Sequence, residues 1–154
     1  MLSPTGIKPT SKLLQKISLF EQLKSKTDIK ASVHLYGYYQ NNVQSFADIA
    51  APFSEILKKR NKFEMKTNQV KAWNLLKEQT LKATELAFYK PKLENKVYTD
   101  ASNIGIGGIY TQIEEGIEKL VVFLSRKLTE VEQRYDTVSK ELLAITYFKK
   151  ELLY

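Results

Sequence analysis

Apolar residues recur at intervals of three and four up to about residue 82, and this spacing predicts helices. The pattern is amphipathic, so one side of each helix is expected to be buried. Residues 45–59 form one helix or two short ones, because Pro52 fits the first turn of a helix better than its interior. The other predicted helices cover Ser11 to Leu23, Thr27 to Tyr39 and Asn68 to Lys82.

The helix predicted from Asn68 has an apolar stripe that identifies its buried side. Trp73 lies on this stripe, so we expect it in the core rather than as a stacking platform for nucleic-acid bases. The stripe consists of Val70, Trp73, Leu76 and Leu81.

After residue 90 the pattern changes to short runs of β-branched and aromatic residues, which predicts strands. Glu114 to Gly116 is a plausible hairpin turn between the second strand and the third. Residues 86–91 form a linker or a short edge strand before them. The three predicted strands are Lys96 to Thr99, Ile104 to Gln112 and Leu120 to Ser125.

A last amphipathic helix follows the strands. Thr129 and Glu132 have the spacing of a capping box, which marks a helix start. The helical pattern reaches Tyr154 without a terminating glycine or proline, which suggests a truncated product. The predicted buried face consists of Val131, Tyr135, Val138, Leu142, Ile145, Phe148 and Leu152.

Composition narrows the class of protein. The 154 residues are 43% hydrophobic and 27% charged, as in an ordinary soluble protein. The chain has no cysteine and a single histidine, His34, which excludes disulfides, cysteine metal sites and multi-histidine zinc sites. No apolar run approaches the length of a membrane span, and the first residues lack the apolar segment of a secretory signal. We therefore expect an intracellular protein without a membrane partner.

The net charge of +7 is unevenly distributed. Residues 1–90 contain 15 Lys and Arg against 7 Asp and Glu, whereas residues 91–154 contain 9 against 10. A basic first part favours binding to a polyanion such as nucleic acid, although lysines also serve solubility. The densest basic run lies at the end of the helix predicted for residues 45–59. There it either stabilises the helix by interacting with the negative end of its dipole or contacts phosphates. This run is Lys58, Lys59, Arg60 and Lys62.

Two carboxylates are candidates for chemistry. Asp100 stands in the first predicted strand, where a carboxylate is costly unless it is paired, caps the turn with Ser102 and Asn103, or holds a metal. Glu141 lies at the margin of the last helix's apolar face, where it either forms a surface salt bridge with neighbouring lysines or leans over the sheet. A strand and a helix that pack together would bring the two carboxylates to one divalent cation.

Five blocks, in order, resemble the start of the ribonuclease H domain in gypsy-like retrotransposon polyproteins. Upstream, Gly6 to Pro9, Leu35 to Tyr39 and Phe46 to Pro52 resemble the segments that follow the polymerase palm in the same family. The five blocks are Thr99 to Ser102, Gly105 to Gly108, Phe123 to Leu128, Glu132 to Tyr135 and Lys140 to Ile145.

This resemblance implies an α+β fold. Residues 1–62 would form a helical, thumb-like segment of a reverse transcriptase. Residues 63–154 would form a partial ribonuclease H-like fold, a three-stranded antiparallel sheet plus a helix, with residues 63–90 as the connecting helix.

The resemblance also implies a chemistry. The family combines RNA-directed DNA synthesis with hydrolysis of RNA in RNA–DNA hybrids, using two Mg²⁺ or Mn²⁺ ions held by four carboxylates. Asp100 and Glu141 match the first two carboxylates and are the expected catalytic and metal-binding residues. The basic run at residues 58–62 would contact nucleic acid.

Parts of the family's enzyme have no match here. The paired aspartates of the polymerase and the last two carboxylates of the nuclease are missing, so we expect no DNA synthesis and no hydrolysis by this chain alone. The alternative is a non-catalytic module, derived from a retroelement, that binds nucleic acid or protein. The expected partners are an RNA–DNA hybrid or other nucleic acid, the rest of a Pol polyprotein, or another copy of the chain.

Overall fold

The computed structural model describes residue 3 and residues 6–18, 23–83 and 85–152. Helices dominate the first half and an antiparallel sheet the second, which confirms the α+β prediction. The division at residues 62 and 63 stays a prediction. The elements, in chain order, are β1 (Gly6–Ile7), α1 (Ser11–Ser18), α2 (Lys26–Gly37), α3 (Phe46–Leu57), α4 (Thr67–Leu81), β2 (Leu86–Ala87), β3 (Glu94–Ala101), β4 (Gly105–Glu114), β5 (Ile117–Lys127) and α5 (Thr137–Leu152).

The four helices of the first half enclose one hydrophobic core. Trp73 of α4 is buried there and meets the ring of Tyr36 edge to face, with 5.3 Å between ring centroids, as the sequence predicted. The end predicted for α1 at Leu23 includes residues 19–22, which lie outside the described residues. The core contains Ile17, Leu23, Ile29, Tyr36, Val43, Phe46, Phe53, Ile56, Ala72, Trp73 and Leu76.

Pro52 lies inside α3, so residues 46–57 form one helix rather than two. A proline at this point removes the hydrogen bond to the carbonyl of Asp48. The helix continues because Phe46, Phe53 and Ile56 are all buried in the helical core, and their packing outweighs the missing bond.

The buried face of α4 differs in part from the predicted stripe. Trp73 and Leu76 are buried, but Val70 and Leu81 are 42% and 39% exposed. Polar and small residues take their places, because the helix presents positions spaced by three and four around Trp73 to the core. These residues are Gln69, Ala72 and Thr80.

The sheet has the strand order β3-β4-β5, and both pairs are antiparallel. All three predicted strands are confirmed, each longer than its prediction. A two-residue turn joins β4 to β5, with φ of 53° at Glu115 and 76° at Gly116, so the predicted hairpin is confirmed. β2 pairs with β1, which confirms a short strand before the sheet.

α5 packs on one face of the sheet, against β3 and β4: Phe148 is buried as predicted, but most of the predicted face is not. Ala144 and Phe148 are buried, whereas Val138, Leu142 and Ile145 are more than half exposed. The sheet selects this side because Gly108 leaves room for the ring of Phe148.

The capping box is real, but it does not start α5. Thr129 and Glu132 exchange hydrogen bonds of 2.8 and 3.3 Å around the short 3-10 turn Glu132–Arg134. α5 starts five residues later at Thr137, where the side chain of Asp136 accepts a hydrogen bond of 2.9 Å from the Ser139 amide.

α3 packs on the opposite face of the sheet, over β4 and β5. The amide of Ala47 donates a 3.1 Å hydrogen bond to the Ser125 hydroxyl, and the Lys127 ammonium donates one of 2.8 Å to the Ser54 hydroxyl. The sheet is therefore enclosed between α3 and α5. No helix among the described residues is long and apolar enough to cross a membrane.

Candidate metal and nucleic-acid site

Asp100 lies in β3 opposite Gly107 and is exposed. Residues directly opposite in an antiparallel pair share a face, and Gly107 is in turn opposite Ser125, the residue that α3 contacts. The Asp100 side chain therefore points to the α3 face of the sheet, away from the face that α5 covers.

Asp100 does not cap the turn that follows β3, which was one of the two structural alternatives for it. Ser102 does so, because its hydroxyl accepts hydrogen bonds of 3.2 Å from the Ile104 amide and 2.8 Å from the Gly105 amide. Among the described residues, the Asp100 carboxylate has no hydrogen-bond or ion-pair partner. Its oxygens are therefore free to bind a ligand.

Glu141 lies in the second turn of α5 and is half-buried. Tyr147 marks the side of α5 that faces β5, because the Arg126 guanidinium of β5 lies 5.3 Å from its ring centroid. Successive helical residues are about 100° apart, which places Glu141 on the other side, towards β3. No ion pair joins Glu141 to a neighbouring lysine among the described residues.

The two predicted ligands therefore lie on two elements that pack together, β3 and α5. α5 packs against β3, as the sequence predicted. Asp100 points to the face of the sheet that α3 covers, whereas α5, which carries Glu141, packs on the other face. Within the described part of the chain, no group of three or more His, Cys, Asp or Glu side chains is placed to hold a metal ion.

A third carboxylate, beside Asp100, was not found from the sequence. Asp48 of α3 lines a cavity of about 220 Å³ together with Asp100, Ser102 and Ser125. Its Oδ1 atom is buried without a hydrogen-bond partner. Burial raises the pKa of Asp48 above its usual value, the hydroxyl of Ser102 lowers it, and the charge of Asp100 raises it.

No signal in the sequence could have identified Asp48. It occupies the first turn of α3, where acidic residues are common because they interact favourably with the positive end of the helix dipole. It reaches the sheet only because Gly105, 57 positions later, has no side chain: a Cβ there would clash with Asp48 Oδ1.

The basic run at the end of α3 is exposed. Lys58 pairs with Glu55 at 2.8 Å, which lowers the charge available at that position. A cation from outside the run caps the end of α3, since the Lys26 ammonium donates a 2.7 Å hydrogen bond to the Lys58 carbonyl. Arg60 and Lys62 line a hollow with Glu55 and Glu64, so the local charge is mixed.

Comparisons with known proteins support a retroelement origin. The chain is 33% identical over 153 residues to the retrovirus-related Pol polyprotein from transposon 297 of Drosophila melanogaster, covering 97% of the chain and 14% of the relative. It is 25% identical over 158 residues to the corresponding polyprotein from transposon opus, covering 96% and 16%. The chain thus spans about a seventh of the length of these curated relatives.

Solved structures share the fold. The foamy viral protease-reverse transcriptase superposes with a TM-score of 0.83 at 17% identity, covering 96% of this chain and 26% of that one. A second structure of that protein gives a TM-score of 0.82 at 16% identity, with 98% and 21% covered.

A protein-family model also matches a defined part of the chain. The model of the RNase H-like domain found in reverse transcriptase covers residues 65–153, more than half of the sequence. That span contains β3 and α5, and with them both predicted carboxylate ligands. This chain therefore belongs to the family of RNase H-like domains of reverse transcriptases and is a fragment of a retroelement reverse transcriptase/RNase H region.

Proposed function

We propose that this chain contributes Asp100 and Glu141 to a metal-dependent nuclease site that hydrolyses RNA in RNA–DNA hybrids. The observation that carries the proposal is the position of the two carboxylates on β3 and on α5, the helix packed against that strand, neither of them engaged by another described residue. Its membership of the RNase H-like domain family supports the same assignment.

The residues suit a hard divalent cation. Carboxylate oxygens are the ligands that Mg²⁺ and Mn²⁺ prefer. Asp100 is exposed and Glu141 half-buried, so one ligand is open to substrate while the other is partly screened from water. A bound divalent cation would supply the activation of a water molecule and the stabilisation of the leaving oxygen.

The chain's own residues have separate tasks in this site. Asp100, on a strand, and Glu141, on a helix packed against that strand, hold their carboxylates on rigid elements. The hydrogen bonds of Ser102 fix the turn directly after Asp100. Gly107, opposite Asp100, leaves the space beside the carboxylate open for a phosphate backbone.

Metal binding is the first test. Titration of the 154-residue chain with Mn²⁺, followed by electron paramagnetic resonance, should detect a site that Asp100→Asn and Glu141→Gln each weaken at least tenfold. Glu151→Gln is the matched control, since Glu151 is an exposed carboxylate on the same helix. Equal affinity in wild type and both site variants would contradict the assignment.

Cleavage of a labelled RNA–DNA hybrid in Mg²⁺ or Mn²⁺ tests the activity itself. Cleavage by wild type that is abolished in Asp100→Asn supports a nuclease. A folded chain that binds the hybrid equally well with and without Mn²⁺, in wild type and in Asp100→Asn, would overturn the catalytic proposal and leave the non-catalytic binding module.

We also propose that the chain binds nucleic acid, in part through Lys58, Lys59, Arg60 and Lys62. The foamy viral protease-reverse transcriptase was solved in complex with double-stranded DNA and with an RNA/DNA hybrid. Because Lys58 already pairs with Glu55, the other three residues should carry most of the effect.

Salt dependence tests this interaction. Changing Lys59, Arg60 and Lys62 together to Gln should weaken hybrid binding and lower the slope of log K against log salt by about 0.9 for each phosphate that the variant no longer neutralises. An unchanged slope, measured by fluorescence anisotropy, would place the binding surface elsewhere. The remaining proposed partners are the rest of a Pol polyprotein and another copy of the chain.

A further inference from the structure

The cavity beside Asp100 lies between the start of α3 and the sheet. It has a volume of about 220 Å³ and is lined by residues of α3, β3, β4 and β5 and of the segments next to them. Asp48 and Asp100 are the carboxylates among these residues, and no lysine, arginine or histidine lines the cavity with them. Two like charges therefore share this space without a cationic side chain to neutralise them.

The two carboxylates differ in their access to water. Oδ1 of Asp48 is buried and has no hydrogen-bond partner among the described residues. A buried polar atom of this kind costs free energy unless a water molecule or an ion satisfies it. Asp100 is exposed and also has no described partner. The cavity thus presents one buried ligand and one accessible ligand to a cation.

The fold places Asp48 over the sheet on the side to which Asp100 points. A Cβ at Gly105 would clash with Asp48 Oδ1, so this oxygen lies directly against β4. The residue before it, Ala47, is fixed to β5 by the 3.1 Å hydrogen bond from its amide to the Ser125 hydroxyl. β3, which carries Asp100, is paired with β4, and paired strands are about 4.8 Å apart. The carboxylates of a helix and of a neighbouring strand therefore enter one cavity.

We propose that Asp48 and Asp100 bind the same divalent cation, Mg²⁺ or Mn²⁺, in this cavity. These ions prefer oxygen ligands and keep several water molecules, so one or two carboxylates are enough to hold them. A pair suffices although the described residues contain no group of three or more potential metal ligands. The inference rests on the metal site proposed above and adds to it a ligand from the helical half of the chain.

A shared ion has two consequences for the site. It neutralises the charges of Asp48 and Asp100, and it links the first turn of α3 to β3. Gly107 lies opposite Asp100 and has no side chain on this face, so the other coordination positions of the ion stay open to water and to a phosphate oxygen. The ion should therefore stabilise the contact between α3 and the sheet.

Manganese binding tests the role of Asp48. In a titration followed by electron paramagnetic resonance, Asp48→Asn should weaken Mn²⁺ affinity at least tenfold, as Asp100→Asn does. Glu55→Gln is the matched control, because Glu55 is an exposed carboxylate on the same helix and should leave the affinity unchanged. Urea denaturation in EDTA verifies that Asp48→Asn is folded, so that a weaker affinity is not a consequence of unfolding.

Gly105→Ala separates the position of the carboxylate from its charge. This variant keeps both aspartates but places a methyl group where Asp48 Oδ1 lies, so it should also weaken Mn²⁺ binding several-fold. Hydrogen exchange provides a readout that a purely structural role of Asp48 would not change. Saturating Mn²⁺ should slow exchange at the start of α3 in wild type but not in Asp48→Asn.

Failure of this inference and failure of the metal site proposed above are distinguishable. If Asp100→Asn and Glu141→Gln weaken Mn²⁺ binding while Asp48→Asn binds like the Glu55→Gln control, the inference is overturned and the proposed site stands. If Asp48→Asn and Asp100→Asn weaken binding and Glu141→Gln does not, the inference stands and Glu141 is not a ligand. A wild type that binds no Mn²⁺ overturns both.

Discussion

Asp48 is a carboxylate that the fold holds in an unfavourable place. Its Oδ1 atom is buried without a hydrogen bond, and burial raises its pKa. A raised pKa means that the folded state favours the protonated acid, so ionisation at neutral pH lowers the free energy of unfolding.

Asp48→Asn should therefore raise the free energy of unfolding by about 1 kcal/mol at pH 7 in metal-free buffer. The gain should shrink as the pH falls, because Asp48 is then protonated in both states of the wild type. Urea denaturation at pH 7 and pH 3 measures this, since the lower pH lies below the ordinary aspartate pKa of 3.8. Asp28→Asn is the control of opposite sign, since the backbone amide of Lys24 lowers the pKa of Asp28 and favours its charge. A loss of stability in Asp48→Asn would contradict the argument.

The pKa of Glu132 is shifted in the opposite direction to that of Asp48. Its carboxylate accepts two 2.8 Å hydrogen bonds from Arg126 and one of 2.8 Å from the Thr129 amide. These bonds, first of all those from Arg126, lower the pKa of Glu132 from 4.5 to about 2. The stability they provide is complete above pH 4.5 and is lost as the pH falls towards 2.

Glu132→Gln should cost about 2 kcal/mol at pH 7, because it removes charge-assisted hydrogen bonds from a carboxyl that is mostly buried. The difference in the free energy of unfolding between wild type and variant should become smaller as the pH falls from 4.5 to 2. Thermal unfolding across that range measures it, with Glu130→Gln, an exposed neighbour, as the control. A difference that is constant with pH would exclude this role of the charge.

At the scale of elements, two adjacent glycines in β4 have different tasks. Gly108 faces α5, where a Cβ would clash with the ring of Phe148 and the carbonyl of Tyr98. Gly107 faces the other way, where the nearest atoms to a Cβ are at 3.6 and 3.8 Å, an ordinary contact. The packing of α5 against the sheet therefore depends on Gly108 and not on Gly107.

Gly108→Ala should lower the free energy of unfolding by about 1–3 kcal/mol, since an added methyl overpacks the interface between α5 and the sheet. Gly107→Ala, its neighbour in the same strand, should be tolerated. Chemical denaturation of both variants makes the comparison. Equal losses in the two would indicate a general effect of alanine in this strand rather than the clash with Phe148.

At the scale of the molecule, the helical half and the sheet are held together through α3. Gly105 permits this contact, because a Cβ there would meet Asp48 and, at 3.2 Å, the carbonyl of Arg126. The hydrogen bond from Ala47 to Ser125 completes it. The two halves should therefore share part of their stability.

Gly105→Ala should loosen α3 from the sheet, because the added methyl occupies the place of the Asp48 carboxylate. Hydrogen exchange followed by mass spectrometry should show faster exchange at the start of α3 and near Ser125, with α4 unchanged. Gly107→Ala serves again as the control on the same face. Uniformly faster exchange across the chain would mean global destabilisation instead.

The sequence determined the elements and the candidate ligands. Strands, tight turns and capping boxes depend on residues that are close together in the chain. The three strands, the Glu115–Gly116 turn and the two hydrogen bonds between Thr129 and Glu132 could therefore be predicted. The motifs around Asp100 and Glu141 pointed to the family for the same reason, since each is a short run of residues. The roles of these two residues as metal ligands stay predictions.

Only the tertiary structure decided which side of each helix is buried and what meets across the sheet. The apolar stripe of α5 was assigned to the core, yet Val138, Leu142 and Ile145 are exposed, because the room beside Gly108 admits Phe148 and rotates the helix. Pro52 stays inside α3 because packing outweighs one missing hydrogen bond. Asp48 reaches the cavity beside Asp100 only through Gly105. Each of these outcomes depends on contacts between residues distant in the chain, and a pattern within one element carries no information about them.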